Sequence, residues 1–149
     1  MSDPLYRLDL LRLAAEAHGA GRLPEPQASG FAFNPACGDK VVVDLMLADG
    51  RITDLAHDTK GCVLAQASAS ILGASLRGAA RDDVERLRSE IAAMLEAKSP
   101  PPSEPFERYS AFAGAVEYPS RYRCVLLPVE AVLDAFDRFA RGKSNDRHA

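Results

Sequence analysis

Three cysteines and one aspartate are the residues in this chain whose types and spacing suit chemistry. Cys37 and Asp39 lie in the segment NPACGD, where proline and glycine predict a tight turn. In an extended backbone their side chains, two residues apart, face the same way. Cys62 follows a glycine and opens an Ala/Ser-rich segment, so we expect its sulfur near a helix N-terminus, where backbone N–H groups favour a thiolate. With Cys124, three thiolates and a carboxylate make four ligands.

Charged neighbours bear on how reactive these thiols are. Lys60 lies close to Cys62, and Arg121 and Arg123 flank Cys124. Because neighbouring cations lower a thiol pKa, we expect all three cysteines to be ready thiolates. The alternative is that each cysteine is simply a small buried hydrophobic residue.

Asp39 is ambiguous, since an aspartate in a turn commonly hydrogen-bonds its own backbone. Beside the cysteines, its carboxylate fits the fourth position around a tetrahedral zinc. On an iron–sulfur cluster, an oxygen ligand would be weaker than sulfur and would help pass the cluster on.

Length and composition describe one ordinary globular domain. The chain has 149 residues, of which 47% are hydrophobic and 26% charged. A net charge of −3 and 7% aromatic residues argue against a nucleic-acid partner. The pattern also predicts no signal peptide and no membrane span. An odd number of cysteines without export favours the reducing cytoplasm.

The elements that must position these residues begin with a small antiparallel sheet. Segment 40–48, rich in β-branched residues, ends at Asp49-Gly50, a strong hairpin signal, and 52–57 returns as its partner. A further short strand is predicted at 30–33. This topology brings the Cys37 turn and Cys62 to the same end of the sheet.

Helices account for most of the remaining chain. Apolar spacing predicts a helix over 3–18, one over 64–76 that packs closely on the sheet, one up to residue 98 capped by Asp82 or Asp83, a short one over 106–116, and a last one beginning at Pro128. The proline-rich segment 99–103 is interpreted as a bend. We predict a single domain over 1–143 and a flexible tail over 144–149.

A classical hydrolase is poorly supported. The sequence has no Gly-x-Ser-x-Gly, no phosphate-binding glycine loop and no His-Glu-x-x-His motif. His57, five residues before Cys62, is predicted to be a packing or surface residue rather than a ligand. A cysteine-nucleophile enzyme therefore lacks a well-placed histidine base.

Three blocks of the sequence follow one another along the chain: Asn34-Pro35-x-Cys37-Gly38-Asp39, Gly61-Cys62 with Ala67-Ser68-Ala69-Ser70, and Arg123-Cys124-x-Leu126-Leu127. In type and order these blocks resemble those of the IscU/SufU/NifU N-terminal-domain family of iron–sulfur cluster assembly proteins. The resemblance covers nearly the whole chain. It implies an α+β fold, with a small three-stranded antiparallel sheet packed against several helices. It also implies that a metal or a nascent cluster is held by Cys37, Asp39, Cys62 and Cys124.

Departures from the IscU pattern place the chain closest to the SufU type. IscU-type members carry a histidine before the third cysteine and a Leu-Pro-Pro-Val-Lys chaperone segment, whereas this chain has Arg123 and the sequence VEYPS over 116–120. The interval from Cys62 to Cys124 is longer by about one helix, as in SufU, and Arg121 matches an arginine of the SufU pattern.

The SufU resemblance implies a zinc-dependent sulfur acceptor that serves a SufS-type cysteine desulfurase. Zinc would hold the four side chains until a desulfurase residue replaced one of them. Cys37 would then accept the persulfide sulfur, and Arg121 would steady the charge released near Cys124. The sulfur would pass to apo iron–sulfur proteins or to another scaffold. Three alternatives stay open: an IscU-like scaffold for a [2Fe–2S] cluster, a structural zinc module that recruits a partner, and the cysteine-nucleophile enzyme that lacks a well-placed histidine base.

Overall fold

The computed structural model describes residues 8–144, with side chains over 8–142. The predicted segment 3–7 of the first helix and residues 145–149 of the predicted tail lie outside the described residues, whereas Ser144 is the last residue of the final helix. The elements follow in the order α1 (Leu8–Glu16), β1 (Ala28–Asn34), β2 (Asp39–Ala48), β3 (Arg51–Lys60), α2 (Val63–Ser75), α3 (Arg81–Ala97), a 3₁₀ helix (Glu107–Glu117), a short 3₁₀ helix (Pro119–Arg121) and α4 (Tyr122–Ser144).

The predicted α+β fold with a three-stranded antiparallel sheet is confirmed. The strand order is β1-β2-β3, so each strand pairs with its neighbour in sequence. The hairpin predicted at Asp49-Gly50 is present, and both residues have positive φ, of 54° and 76°. That is the backbone of the two-residue turn that glycine and aspartate favour. The outer strands run longer than predicted, because β1 pairs with residues 39–45 of β2 and β3 pairs with residues 40–48.

The helices cover one face of the sheet and build the core there. Val41, Val43 and Leu45 alternate along β2 and are buried beneath the helices. The long helix α4 packs across β1 and β2, while α2 packs against α1, α4 and β3. The predicted helix over 64–76 is therefore confirmed as α2. No helix among residues 8–144 is long and apolar enough to span a bilayer.

Two predicted helix starts are wrong. The last helix begins at Tyr122, and Pro128 lies inside it. Although Pro128 cannot donate the backbone bond to the residue four positions earlier, the turn before it stays helical because Val125 and Leu127 are fully buried in the core. The residue before α3 is Ala80, not an aspartate. Asp83 instead accepts the N–H of Ala80 from inside the first turn, at 3.0 Å.

One further element differs in type. The segment predicted as a short helix over 106–116 is a 3₁₀ helix, Glu107–Glu117. It packs against α3. Its buried Tyr109 stacks on Phe112, with ring centroids 5.4 Å apart.

Candidate metal centre

Three separate parts of the chain meet at one end of the sheet. The turn after β1 carries Cys37, and Asp39 opens β2 opposite Asn34. Because Lys40 pairs with Lys60, the end of β3 returns beside that turn and delivers Cys62. The first turn of α4 supplies Cys124 to the same place. The shared sheet end predicted for Cys37 and Cys62 is therefore confirmed, and α4 adds the third thiol.

The donor atoms lie at distances that suit one metal ion. The Sγ atoms of Cys37 and Cys124 are 3.7 Å apart. Two thiolates bound to one tetrahedral zinc at about 2.3 Å would lie about 3.8 Å apart. One ligand atom from each of Cys37, Asp39 and Cys124 lies within 4.8 Å of the other two. Sulfur and carboxylate donors at these distances could hold a metal ion.

Asp39 has a buried carboxylate oxygen that makes no hydrogen bond. Its side chain is buried, with 5% of the residue exposed, and its Oδ2 has no hydrogen-bond partner. A buried, unpaired carboxylate oxygen is costly, and a bound cation would satisfy it. The carboxyl group lies against the backbone of Gly61, where a Cβ would come within 2.6 Å of Asp39 Cγ. A glycine at 61 therefore leaves the space that the carboxylate occupies.

Cys62 interacts with two residues of this cluster, Cys124 and Asp39. It is half-buried and immediately precedes α2, as predicted. A hydrogen bond with the Cys124 thiol lowers the pKa of Cys62 to about 7, helped by the backbone N–H of Ala65 and opposed by burial and by Asp39. Cys62 is not among the side chains whose donor atoms all lie within 4.8 Å of one another.

The prediction that Cys124 is a ready thiolate is wrong, because its pKa is raised rather than lowered. It is buried, and the hydrogen bond with Cys62, burial and the charges on Cys62 and Cys37 raise its pKa. Within the pair, Cys62 ionises first. The side chain of Arg123 does not face the sulfur, since it extends to Glu130 (3.7 Å) and to the carbonyl of Phe33 (3.4 Å). Successive residues on a helix point in different directions, so adjacency in sequence did not give electrostatic contact.

Two residues of the site had been assigned no role from sequence. Asn34, buried at the end of β1, donates from Nδ2 to Cys37 Sγ at 3.2 Å. Gly61 gives the close approach to Asp39 described above. Both residues lie within the cysteine motifs, and this position was the sequence feature that could have indicated a role. Their function depends on contacts that the spacing of residues in the sequence does not reveal.

Of the other predicted candidates, Arg121 closes the short 3₁₀ helix and is half-buried, three residues before Cys124. His57 is buried. Its Nε2 donates to the carbonyl of His18 (2.9 Å) and its Nδ1 accepts from Thr59 Oγ1 (2.9 Å). Burial lowers its pKa. With both ring nitrogens engaged, His57 is a packing residue, and it offers no base to a cysteine nucleophile.

Comparison with known sequences finds a matching family model and several relatives. The model of the family described as NifU-like N terminal domain matches residues 5–125. The iron-sulfur cluster assembly scaffold protein IscU of Thermotoga maritima is 25% identical over 142 residues, covering 92% of this chain and 96% of its own. The zinc-dependent sulfurtransferase SufU of Bacillus subtilis is 24% identical over 99 residues, covering 66% of this chain and 67% of its own.

Solved structures give the same result. The crystal structure of the N-terminal part of a NifU-like protein from Brucella abortus superposes with a TM-score of 0.88 at 32% identity, covering 93% of this chain and 96% of that one. The family match spans most of the chain, and the architecture agrees with that of the solved structure. The chain belongs to the NifU-like N-terminal domain family.

Proposed function

We propose that this protein is a zinc-dependent sulfur acceptor in iron–sulfur cluster assembly, supplied by a SufS-type cysteine desulfurase. The observation that carries the proposal is the donor set: Cys37 and Cys124 sulfurs 3.7 Å apart, with the partnerless, buried Oδ2 on Asp39 beside them. Sulfur ligands with one carboxylate suit zinc, whereas structural zinc sites generally use cysteine and histidine alone.

The relatives support a role in iron–sulfur cluster assembly, and their names include two different functions within it. One relative carries the name zinc-dependent sulfurtransferase, and another is named a scaffold protein. The sequence features that favour the sulfurtransferase are Arg123 in place of histidine and the long interval from Cys62 to Cys124. All three cysteines are free, as expected for a protein that acts in the reducing cytoplasm.

The proposed ligands are Cys37, Asp39, Cys62 and Cys124. Bound zinc would keep the coordinating thiols deprotonated. Cys37 is exposed, whereas Cys124 is buried and Cys62 half-buried, so Cys37 is the sulfur that a partner protein can reach. A freed Cys37 thiolate attacks the outer sulfur of the desulfurase persulfide. A new S–S bond forms on Cys37, the S–S bond of the donor breaks, and the desulfurase cysteine leaves as a thiolate, with no net oxidation.

Arg121 is proposed to steady negative charge near Cys124 during this exchange. It lies in the segment that leads directly into the first turn of α4. Replacing it with lysine would keep the charge and lose the planar fork of donors. We therefore expect Arg121→Lys to transfer sulfur more slowly while it binds zinc normally.

The test is sulfur transfer with purified SufS-type desulfurase. Wild-type protein is expected to carry one zinc and to stimulate the desulfurase, and mass spectrometry should find a persulfide on Cys37. Cys37→Ser should abolish the persulfide. The matched control is Ser75→Ala, a hydroxyl change at the far end of α2, which should transfer sulfur normally. Unchanged transfer in Cys37→Ser would contradict the assignment of the acceptor.

The second candidate is a scaffold on which a [2Fe–2S] cluster is assembled as cargo for apo iron–sulfur proteins. It is favoured by the scaffold name of the relative that aligns over 96% of its own length. The metal content and colour of protein purified without oxygen distinguish the two functions. One zinc per colourless chain supports the sulfur acceptor. Brown protein that contains iron and sulfide in equal amounts would establish the scaffold instead.

A further inference from the structure

Asn34 organises the turn that presents Cys37. Its backbone carbonyl accepts the N–H of Gly38 at 2.8 Å and that of Cys37 at 3.3 Å. Its side-chain Oδ1 accepts the N–H of Ala36 at 3.2 Å. The residue is 5% exposed, so this polar side chain is enclosed by the protein and its bonds are internal.

The orientation of the Asn34 amide follows from these contacts. Because Ala36 N–H can only donate, the atom facing it must be the acceptor Oδ1. The amino group is thereby directed to the other side, where Nδ2 lies 3.2 Å from Cys37 Sγ. Reversing the amide would set two donors against each other at Ala36, so the contact with sulfur is an N–H donor contact.

Cys37 is the cysteine of the site that most needs such a donor. It is exposed, whereas Cys124 is buried and Cys62 is half-buried beside the first turn of α2. An exposed thiolate is open to adventitious alkylation and oxidation. A hydrogen bond from an amide withdraws charge from the sulfur and lowers its nucleophilicity.

We propose that Asn34 is a positioning residue for Cys37. Its carboxamide holds the sulfur towards Cys124 and Asp39, and its N–H moderates the reactivity of the metal-bound thiolate until a partner docks. The inference rests on the proposed function only in taking Cys37 as a metal ligand. It adds a residue outside the ligand set to the control of the acceptor sulfur.

Two variants separate this role from support of the turn. Asn34→Asp keeps an acceptor for Ala36 N–H and loses the donor to sulfur. Asn34→Ala loses both. In Co²⁺-loaded protein, a more electron-rich Cys37 thiolate should move the sulfur-to-cobalt charge-transfer band to longer wavelength in both variants.

The second measurement is alkylation of zinc-loaded protein by iodoacetamide, followed at each cysteine by mass spectrometry. The rate at Cys37 should rise roughly tenfold in both variants, the scale of one hydrogen bond to a charged group. The rates at Cys62 and Cys124 should stay within about twofold of wild type.

Gln66→Ala is the matched control. Gln66 also uses a side-chain amide near the site, but it donates to the backbone carbonyl of Thr59, at 2.7 Å, rather than to sulfur. Its removal should leave the cobalt band and the Cys37 rate unchanged.

An unchanged band and an unchanged Cys37 rate in both Asn34 variants would overturn the proposal. So would a parallel rise at all three cysteines, since that would make Asn34 a support of the whole site. Neither measurement uses a desulfurase, so failure of sulfur transfer in wild-type protein would remove the proposed function and leave this result standing. Wild-type protein that bound neither zinc nor cobalt would overturn both.

Discussion

Gly61→Ala is the substitution that most directly tests how Asp39 is held in the proposed metal centre. The added Cβ would lie 2.6 Å from Asp39 Cγ and 2.8 Å from its Oδ1, where ordinary contacts begin at 3.4 Å. Relief of the clash therefore requires the carboxyl group to move by about 0.8 Å. The backbone at Gly61 does not have a positive φ, so alanine can adopt it without strain.

A shift of this size is decisive for a ligand. Donor distances in metal sites tolerate about 0.2 Å, so the carboxylate would leave the ligand set while the three sulfurs remained. We expect zinc affinity to fall at least about tenfold, the lower end of what the loss of a supporting partner costs. Asp39→Ala should lower the affinity by a similar amount, and the double variant should lose little more than Asp39→Ala alone.

The assay is competition for zinc against a chromophoric chelator, with thermal unfolding of the metal-free proteins measured in parallel. Gly142→Ala is the matched control, because a Cβ there meets nothing within 4 Å. It should bind zinc as wild type does. A Gly61→Ala protein with wild-type affinity would refute the reasoning. A full, additive loss in the Asp39→Ala background would show that the substitution acts through Cys62 instead.

Three further predictions concern stability. Burial lowers the pKa of His57, so the unfolded chain takes up a proton before the folded chain does as the pH falls below about 6.5. The free energy of unfolding should then drop by up to about 1.4 kcal/mol per pH unit. Urea unfolding of His57→Gln should show a shallower drop. Buried Asp44 accepts from Arg22 at 2.6 Å, so Asp44→Asn should cost at least about 1.5 kcal/mol in the same assay, and an unaltered midpoint would contradict this. Ser68→Ala should cost about 1–3 kcal/mol, because it removes the 2.8 Å partner of the buried Tyr109 hydroxyl and the donor of a 2.7 Å bond to the carbonyl of Val125; an unaltered unfolding midpoint would count against it.

Local patterns predicted much of the fold because the physics involved is local. The alternation of β2 and the Asp49-Gly50 turn depend on residues next to each other in the chain, so the hairpin and the meeting of Cys37 with Cys62 at one end could be predicted. The start of α4 could not. Pro128 is a strong local signal for a first helical position, but burial of the turn before it outweighs that preference.

By itself, the sequence determined the fold class, the order of the cysteine segments and the candidate donors Cys37, Asp39, Cys62 and Cys124. Only the tertiary structure decided how these donors differ. Cys124 is buried and holds its proton more tightly than its arginine neighbours suggested, and Cys37 is exposed with an amide on its sulfur. The physical reason is that burial and hydrogen bonding depend on residues far apart in the chain, such as position 37 facing 124, and such contacts leave no trace in local spacing.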